Sequence, residues 1–450
     1  MKAIEICFAK PQLDGIKAAM LTARSGREEV AGFAFCSSHP ISRNQSRYLC
    51  KQWIVPGKDC YESQSLGGIT LKQEFNRYLV ETVLTPGQTM LHLHSHPGNH
   101  THYFSSTDDF HEARYAKFLG QYEDSSRLMS GVFDESLEHA SFRLWNPDGT
   151  LSSIPVSLGK IWGREQVHEQ DRAGSNPLFA RQKVFGSGFQ QTLGQMTVAL
   201  VGCGGIGAPF AEQLSRLGVR RWILVDPDHL EMSNLNRMPF ATRQMVKEQF
   251  SKVQYVKSLI KRVPYKSEVH ALETGIEDDS AQKMVASADL IVTATDNHYS
   301  RIVAQKLALT YLRPLLSLGT HIDMQPEAGP RLYCRASMPP VQGGWCLLCA
   351  NIVDSRQAGF ETAPLEMRPT LHQRGYLADV PAPAVYWLNS SCASMGVQII
   401  HGILSGFVEP LPGIDWIFDY HNQQWHKMHV TPQHCYLCDN TGDVFAVGGS

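Results

Sequence analysis

Residues 198–201 form a short apolar run that enters a glycine-rich turn; an amphipathic segment follows, and a second apolar run ends at Asp226. Short apolar runs bounded by glycine read as buried strands and the segment between them as a helix, so the pattern predicts a β-α-β unit. Residues 288–295 form another strand-like run, closing on Asp296-Asn297. From about Phe179 onwards strand and helix patterns alternate, which predicts an α/β fold with a Rossmann-like, mostly parallel sheet covered by helices.

The first 158 residues are patterned differently. Residues 12–22 and 71–82 predict helices; 30–36, 89–94, 128–133 and 140–145 predict strands, with Asn146-Pro147-Asp148-Gly149 as a turn. Residues 163–177 are polar and lack an apolar period. We therefore read an N-terminal α/β domain over 1–158, a linker over 159–178 and a second domain over 179–450.

Composition narrows the class. At 450 residues the chain can build two full cores. A net charge of −2 with 19% charged residues gives no sign of a nucleic-acid surface or an acidic tail. No apolar run approaches the roughly 18 residues of a spanning helix, and the N-terminus lacks the apolar core of a signal peptide. The eleven cysteines, odd in number, fit reduced thiols and metal ligands. The expectation is a cytoplasmic protein with no membrane or nucleic-acid partner.

The turn Gly202-Cys203-Gly204-Gly205-Ile206-Gly207 has the G-x-G-x-x-G spacing. Side chains at Gly202, Gly204 or Gly207 would obstruct approach of a phosphate to the backbone, and helix N-terminal amides face such an anion. Asp226 stands where a dinucleotide enzyme places its ribose-binding carboxylate, so an NAD enzyme fits this stretch alone. Downstream lie Asp228, Asn234, Arg237, Lys252, Asp296, Asn297 and Arg301. Hydride transfer has no need of so many phosphate- and metal-type groups; a magnesium-bound triphosphate does.

On these residues, the stretch from Phe179 to the C-terminus resembles the superfamily of ubiquitin-activating enzymes and their bacterial sulfur-carrier relatives ThiF and MoeB. Those enzymes adenylate the C-terminal glycine of a ubiquitin-like protein. The resemblance implies ATP as cosubstrate, Asp226 at the ribose, Asn234, Arg237 and Lys252 at the phosphates, and Asp296 on Mg2+, with Asp228 and Asn297 beside them. It also implies a homodimer in which Arg181, in Ala180-Arg181-Gln182, reaches the partner subunit's ATP site. Two departures stand out: Met238 replaces the family's glutamine, and the interval from Arg237 to Lys252 is long, leaving Lys247 as the alternative lysine.

Cys346-x-x-Cys349 and Cys435-x-x-Cys438 are two pairs whose four thiolates close a tetrahedron around a structural zinc, as in ThiF and MoeB. The rival is a redox dithiol. Residues 351–388 correspond to the family's crossover loop and contain no cysteine. Direct transfer from the acyl-adenylate, as in MoeB, is therefore expected, with Cys392 the alternative thioester cysteine; Cys203 and Cys334 read as packing residues.

The N-terminal domain has its own constellation, His92-Leu93-His94-Ser95-His96-Pro97, followed by Ser105 and Asp108-Asp109. Histidines two apart at a strand end share a side, an aspartate on the next helix can complete a three-ligand site, and the fourth position stays open for water, as catalytic Zn2+ requires. Glu29 is the candidate general base. This pattern resembles the JAMM metalloproteases. The resemblance implies His94, His96 and Asp108 as ligands, Glu29 as base and Ser105 as the residue that steadies the tetrahedral intermediate; Ser106 with Asp109 is the alternative register. His92 reads as a packing residue, and His100, His102 and His111 as solvated. Together the halves suggest a bifunctional enzyme that processes a ubiquitin-like or sulfur-carrier protein and adenylates its C-terminal glycine, with a conjugating enzyme as a further partner. The rivals are adenylation of another carboxylate, such as that of a short peptide, and a catalytically silent binding scaffold.

Overall fold

Contacts within the chain divide the computed structural model into two units, Met1–Ile161 and Trp162–Ser450. It describes residues 3–8, 10–24, 26, 28–42, 45–65, 67–98, 102–123, 125–159, 177–185, 187–325, 329–341, 344–363, 366, 383–432 and 435–438. Most of the expected linker, the middle of the expected crossover loop and His100 lie outside these residues.

In the first unit, seven strands follow the order β1 (Ala3–Cys7), β3 (Gln45–Ile54), β2 (Ala31–Ser42), β6 (Gln88–Ser95), β7 (Arg127–Phe133), β8 (Ala140–Trp145) and β9 (Val156–Leu158). β1 also pairs with β9, closing the sheet. β4 (Tyr61–Ser65) and β5 (Gly68–Leu71) form a separate hairpin. β7 is buried along almost its whole length instead of alternating, as expected of a strand covered on both faces. The Lys10–Ala23 helix packs Leu13, Ile16 and Met20 into one core. The Ser106–Tyr122 helix packs Ala116 and Leu119 into the other. The expected helix over 71–82 is shorter: Leu71 pairs with Tyr61 in the hairpin, the helix covers Gln73–Tyr78, and a wider turn, Leu79–Val83, buries Leu79, Val80 and Val83.

The second unit holds eight strands in the order β12 (Glu268–Leu272), β11 (Arg221–Val225), β10 (Thr197–Val201), β13 (Leu290–Thr293), β14 (Leu315–Gln325), β15 (Gly329–Met338), β16 (Ile414–Asp419), β17 (Gln424–Lys427). The first five are mutually parallel, whereas β15, β16 and β17 are added antiparallel. The sheet is thus mixed: the parallel majority the pattern suggested holds for the first five strands, and an antiparallel extension is added to it, β14 running into β15 and β16 into β17 through links too short for a parallel crossover. Helices cover both faces, Gly207–Leu217, Lys252–Lys261 and Tyr386–Leu404 on one and Asp279–Ala286 and His298–Thr310 on the other. Among the described residues no helix is long and apolar enough to cross a membrane.

β11 and β12 lie on one side of β10, while β13 and β14 lie on the other. The chain therefore reverses its direction of travel at β10, and the carboxyl ends of β10 and β13 flank a crevice. The glycine turn occupies that place for steric reasons. A Cβ at Gly202, whose φ is +95°, would lie 2.7 Å from the Ala294 carbonyl, and one at Gly207 would lie 2.0 Å from the Gly202 carbonyl oxygen. Gly207→Ala therefore forces the strand and helix apart; we expect a loss of about 3 kcal/mol, the upper range for overpacking, measured by denaturant unfolding, and an unchanged midpoint would refute the packing argument.

Candidate functional site

A cavity of about 390 Å³ opens at the carboxyl ends of β10, β11 and β13. Gly202 and Gly204 line it, and nothing lies within 4 Å of where a Gly204 side chain would start, so that glycine faces open space. Gly207, the first residue of its helix, is absent from the wall, and the place of a Cβ there is taken by the Gly202 carbonyl. Asp226, at the end of β11, is buried. Its carboxylate accepts the Cys203 amide at 2.7 Å and the Asp228 amide at 2.9 Å. Burial raises its pKa against the pull of Lys252.

Lys252, the first residue of its helix, reaches the cavity and pairs with Asp228 at 2.7 Å. Burial alone would lower its pKa, but Asp226 and Asp228 hold it above the ordinary value, so the ammonium stays charged. Lys247, the alternative lysine, is exposed and off the wall. Asn234 and Arg237 line the same wall; Arg237 donates to the Ser233 carbonyl, and buried Met238 lies beside it. Across the cavity, Asp296 follows β13 and is exposed into it. Asn297 caps the His298–Thr310 helix by accepting the Ser300 amide at 2.8 Å. Arg301 gives its guanidinium to the carbonyls of Thr295 and Leu318 and the hydroxyl of Ser317, so it ties strand ends together.

Several wall residues escaped the sequence. Thr274, Gly275, Ile276 and Glu277 follow β12, and Thr320 donates to Asn389 Oδ1 at 3.2 Å on the far side. No local spacing marks them; strand order brings them in. Glu361 accepts the amides of His298 and Tyr299, anchoring the Ser355–Thr362 helix to the helix start beside Asp296.

Two further candidate residues lie off this wall. Arg181, in the Pro177–Phe185 segment, is exposed and off this wall. Cys392 is fully buried in its helix, with its Sγ donating to the Gly319 and Arg335 carbonyls. Its neighbour Cys334 and burial push this thiol well above its ordinary pKa. A buried neutral thiol removes the premise for Cys392 as the thioester nucleophile. Cys203 is buried in the same way, its thiol also raised by burial.

Cys346, Cys349, Cys435 and Cys438 converge, with Sγ–Sγ separations from 3.1 to 3.8 Å. Burial pushes Cys346 up to about 12. Four thiols this close and mostly buried have the donor set and spacing of a tetrahedral zinc, which would hold them as thiolates. Cys435→Ser should release the metal and destabilise the second unit by about 4 kcal/mol or more, the range in which loss of a metal falls; zinc content and the melting curve would check it.

In the first unit β2 and β6 are antiparallel, with Ala31 opposite His94. Two residues before Ala31 and two after His94, Glu29 and His96 come near each other. The Glu29 backbone is fixed by its amide to Ser65 and by Gln64 Nε2 to its carbonyl, and burial pushes its carboxyl up to about 7 against the nearby His96. Asp108 lies 3.2 Å from His94 Nε2 and 3.4 Å from His96 Nε2. Desolvation would raise its pKa, yet the two imidazoles hold it far below the carboxylate range. His94 is buried, and neither of its nitrogens makes a hydrogen bond of good geometry. Two imidazoles and a carboxylate around orphaned buried nitrogens fit a divalent cation such as zinc.

Ser105 caps the helix that carries Asp108: its hydroxyl donates to Asp108 Oδ2 at 2.8 Å and accepts the Asp108 amide. Its hydroxyl is thus engaged in steadying a ligand. Asp109 pairs with Arg143, whereas Asp108 converges with His94 and His96. His92 packs, stacked on Phe33. His102, expected to be solvated, is half-buried between Tyr103 and His139, with Nδ1 unpartnered.

The family found by comparison with known proteins bears on the second unit. A family model described as "ThiF family" matches residues 179–440, more than half of the chain. The "Sulfur carrier protein ThiS adenylyltransferase" of Bacillus subtilis (strain 168) is 27% identical over 177 residues, 37% of this chain and 53% of that protein. "Adenylyltransferase and sulfurtransferase MOCS3" of Mus musculus is 30% identical over 157 residues, 34% of each chain. The chain spans about half, or less, of the length of these curated relatives. Among solved structures, "Crystal structure of E. coli MccB + MccA-N7isoASN" superposes with a TM-score of 0.48 at 17% identity, covering 60% of this chain and 76% of that one.

Proposed function

The chain belongs to the ThiF family, and on that premise we propose that its second unit adenylates the C-terminal carboxylate of a ubiquitin-like or sulfur-carrier protein. The carrying observation is the cavity that gathers Gly204, Asp226, Arg237, Lys252 and Asp296 at the strand ends. A carboxylate oxygen of the substrate forms a bond to the α-phosphorus of ATP, the bond from that phosphorus to the β-phosphate oxygen breaks, and pyrophosphate leaves. No proton is transferred. Asp226 orients the ribose with the lone pairs its two amide contacts leave free, while Lys252 and Arg237 neutralise charge on the phosphates. Asp296 would hold Mg2+, which supplies further charge neutralisation. The acyl-adenylate then passes directly to its acceptor, and Arg181 serves a partner subunit's site in a homodimer. ATP–pyrophosphate exchange should appear only with a protein ending in Gly-Gly; its absence with every glycine-terminated polypeptide would overturn the reading, and ATP binding without turnover would favour a silent scaffold.

A second observation supports a second activity. His94, His96 and Asp108 converge with Glu29 near His96, and on that support we read the first unit as a JAMM-type zinc peptidase acting at the C-terminus or isopeptide link of the same carrier, within the cytoplasm. Zinc held by His94, His96 and Asp108 would polarise the scissile carbonyl and acidify water. Glu29 accepts the proton of the attacking water and returns it to the leaving amine. Covalent tethering of the two units raises the local concentration of one product at the other site. Cleavage of a ubiquitin-like fusion that survives in a His94→Ala, His96→Ala double variant would remove this half of the proposal.

A further inference from the structure

The Ser106–Tyr122 helix carries a second buried acid, Glu112, one turn beyond Asp108. Its two carboxylate oxygens face different groups. Oε2 accepts from Arg143 Nε at 3.0 Å, Arg143 Nη2 at 2.7 Å and Trp145 Nε1 at 3.1 Å. Oε1 is enclosed without a hydrogen-bond partner, 3.7 Å from His92 Nδ1 and 3.9 Å from His94 Nδ1. His94 Nδ1 is itself buried and unpartnered. Leaving two such groups unpaired costs more than their hydrogen bond gains, and the gap is only about one ångström beyond bonding length.

We propose that Glu112 is a positioning residue for the N-terminal cation centre: its Oε1 accepts the Nδ1 proton of His94, leaving Nε2 proton-free beside Asp108. This rests on reading His94, His96 and Asp108 as ligands. Neutral imidazole carries one proton, and the hydrogen bond made by one nitrogen decides which nitrogen is free to bind a metal. Arg143 and Trp145, both donors only, lock the carboxylate through Oε2 and keep Oε1 directed at the histidines. His92, stacked on His94 at 5.3 Å, is the rival donor.

Glu112→Gln turns this logic into a test. Arg143 and Trp145 demand the amide oxygen at the Oε2 place, which directs the amide NH2 at His94, draws the proton to Nε2 and takes away the ligating nitrogen. Zn2+ affinity of the full chain is measured by competition with a chromophoric chelator, for wild type, Glu112→Gln, His92→Phe and His96→Ala, with melting curves to confirm folding. The ion lost in His96→Ala marks the centre. We expect Glu112→Gln to weaken that ion by about ten- to a hundredfold and His92→Phe to leave it unchanged. If wild type and His96→Ala bind the same number of ions, the ligand reading itself fails. If wild type exceeds His96→Ala but Glu112→Gln binds as wild type, the Glu112 inference alone is overturned. Equal weakening by His92→Phe, or a second ion lost in both variants, overturns it in favour of a cation between His92, His94 and Glu112. Should Glu112→Gln not fold, the 15N shifts of His94 in the wild-type chain decide: protonation at Nδ1 supports the inference and at Nε2 refutes it.

Discussion

Asp296→Ala should lower ATP–pyrophosphate exchange by about 10³-fold or more, the scale set by removing a charge-organising group from a transferring phosphoryl site. Asp296 is exposed into the cavity and carries no structural bond among the described residues, so the melting temperature should stay at the wild-type value while exchange is lost. Lys252→Ala should act on the same step but less cleanly. It also leaves Asp228 unpaired and removes the positive neighbour of buried Asp226, so it should reduce both turnover and stability. Exchange that persists in Asp296→Ala at saturating ATP would show that the phosphates are organised by other groups and would move the reaction centre away from the β13 end.

Glu29→Gln should abolish cleavage of a ubiquitin-like fusion by about 10²–10⁴-fold, the contribution of a positioned general base, while leaving zinc content intact. The separation is possible because the backbone of Glu29, not its carboxylate, makes the contacts to Ser65 and Gln64. The substitution should therefore leave the strand in place. Cleavage assayed beside zinc analysis gives the answer: unchanged hydrolysis would remove Glu29 from the chemistry, whereas a parallel loss of zinc would recast it as a ligand.

What the residues disclosed in advance was local. The run from Val198 to Asp226 is a strand, turn, helix and strand in sequence, and each step has its own signature: the apolar run, the glycines, the amphipathic period. The two C-x-x-C pairs and the His-x-His pair are also short-range patterns, so their residues could be singled out before any fold was known. Residues that depend on long-range pairing were not legible. Asn389 and Thr320 reach the cavity only because the Tyr386–Leu404 helix packs against β14, and Thr274–Glu277 only because β12 lies beside β11. Glu112 reads as one more charge on a polar helix until sheet closure buries it against Trp145. In the antiparallel extension β17 is exposed throughout and has no buried face to pattern, while the directions of β15 and β16 follow from strand pairing that no local period encodes.

Asp226 holds two backbone amides, Asn297 caps its helix, and Lys252 is drawn to Asp228 by contacts within the chain itself. The receptor is thus preorganised on this side. Little of the free energy of nucleotide association is spent on freezing these groups, so more of it is available for affinity. Calorimetry should accordingly find a small ordering cost for nucleotide alone.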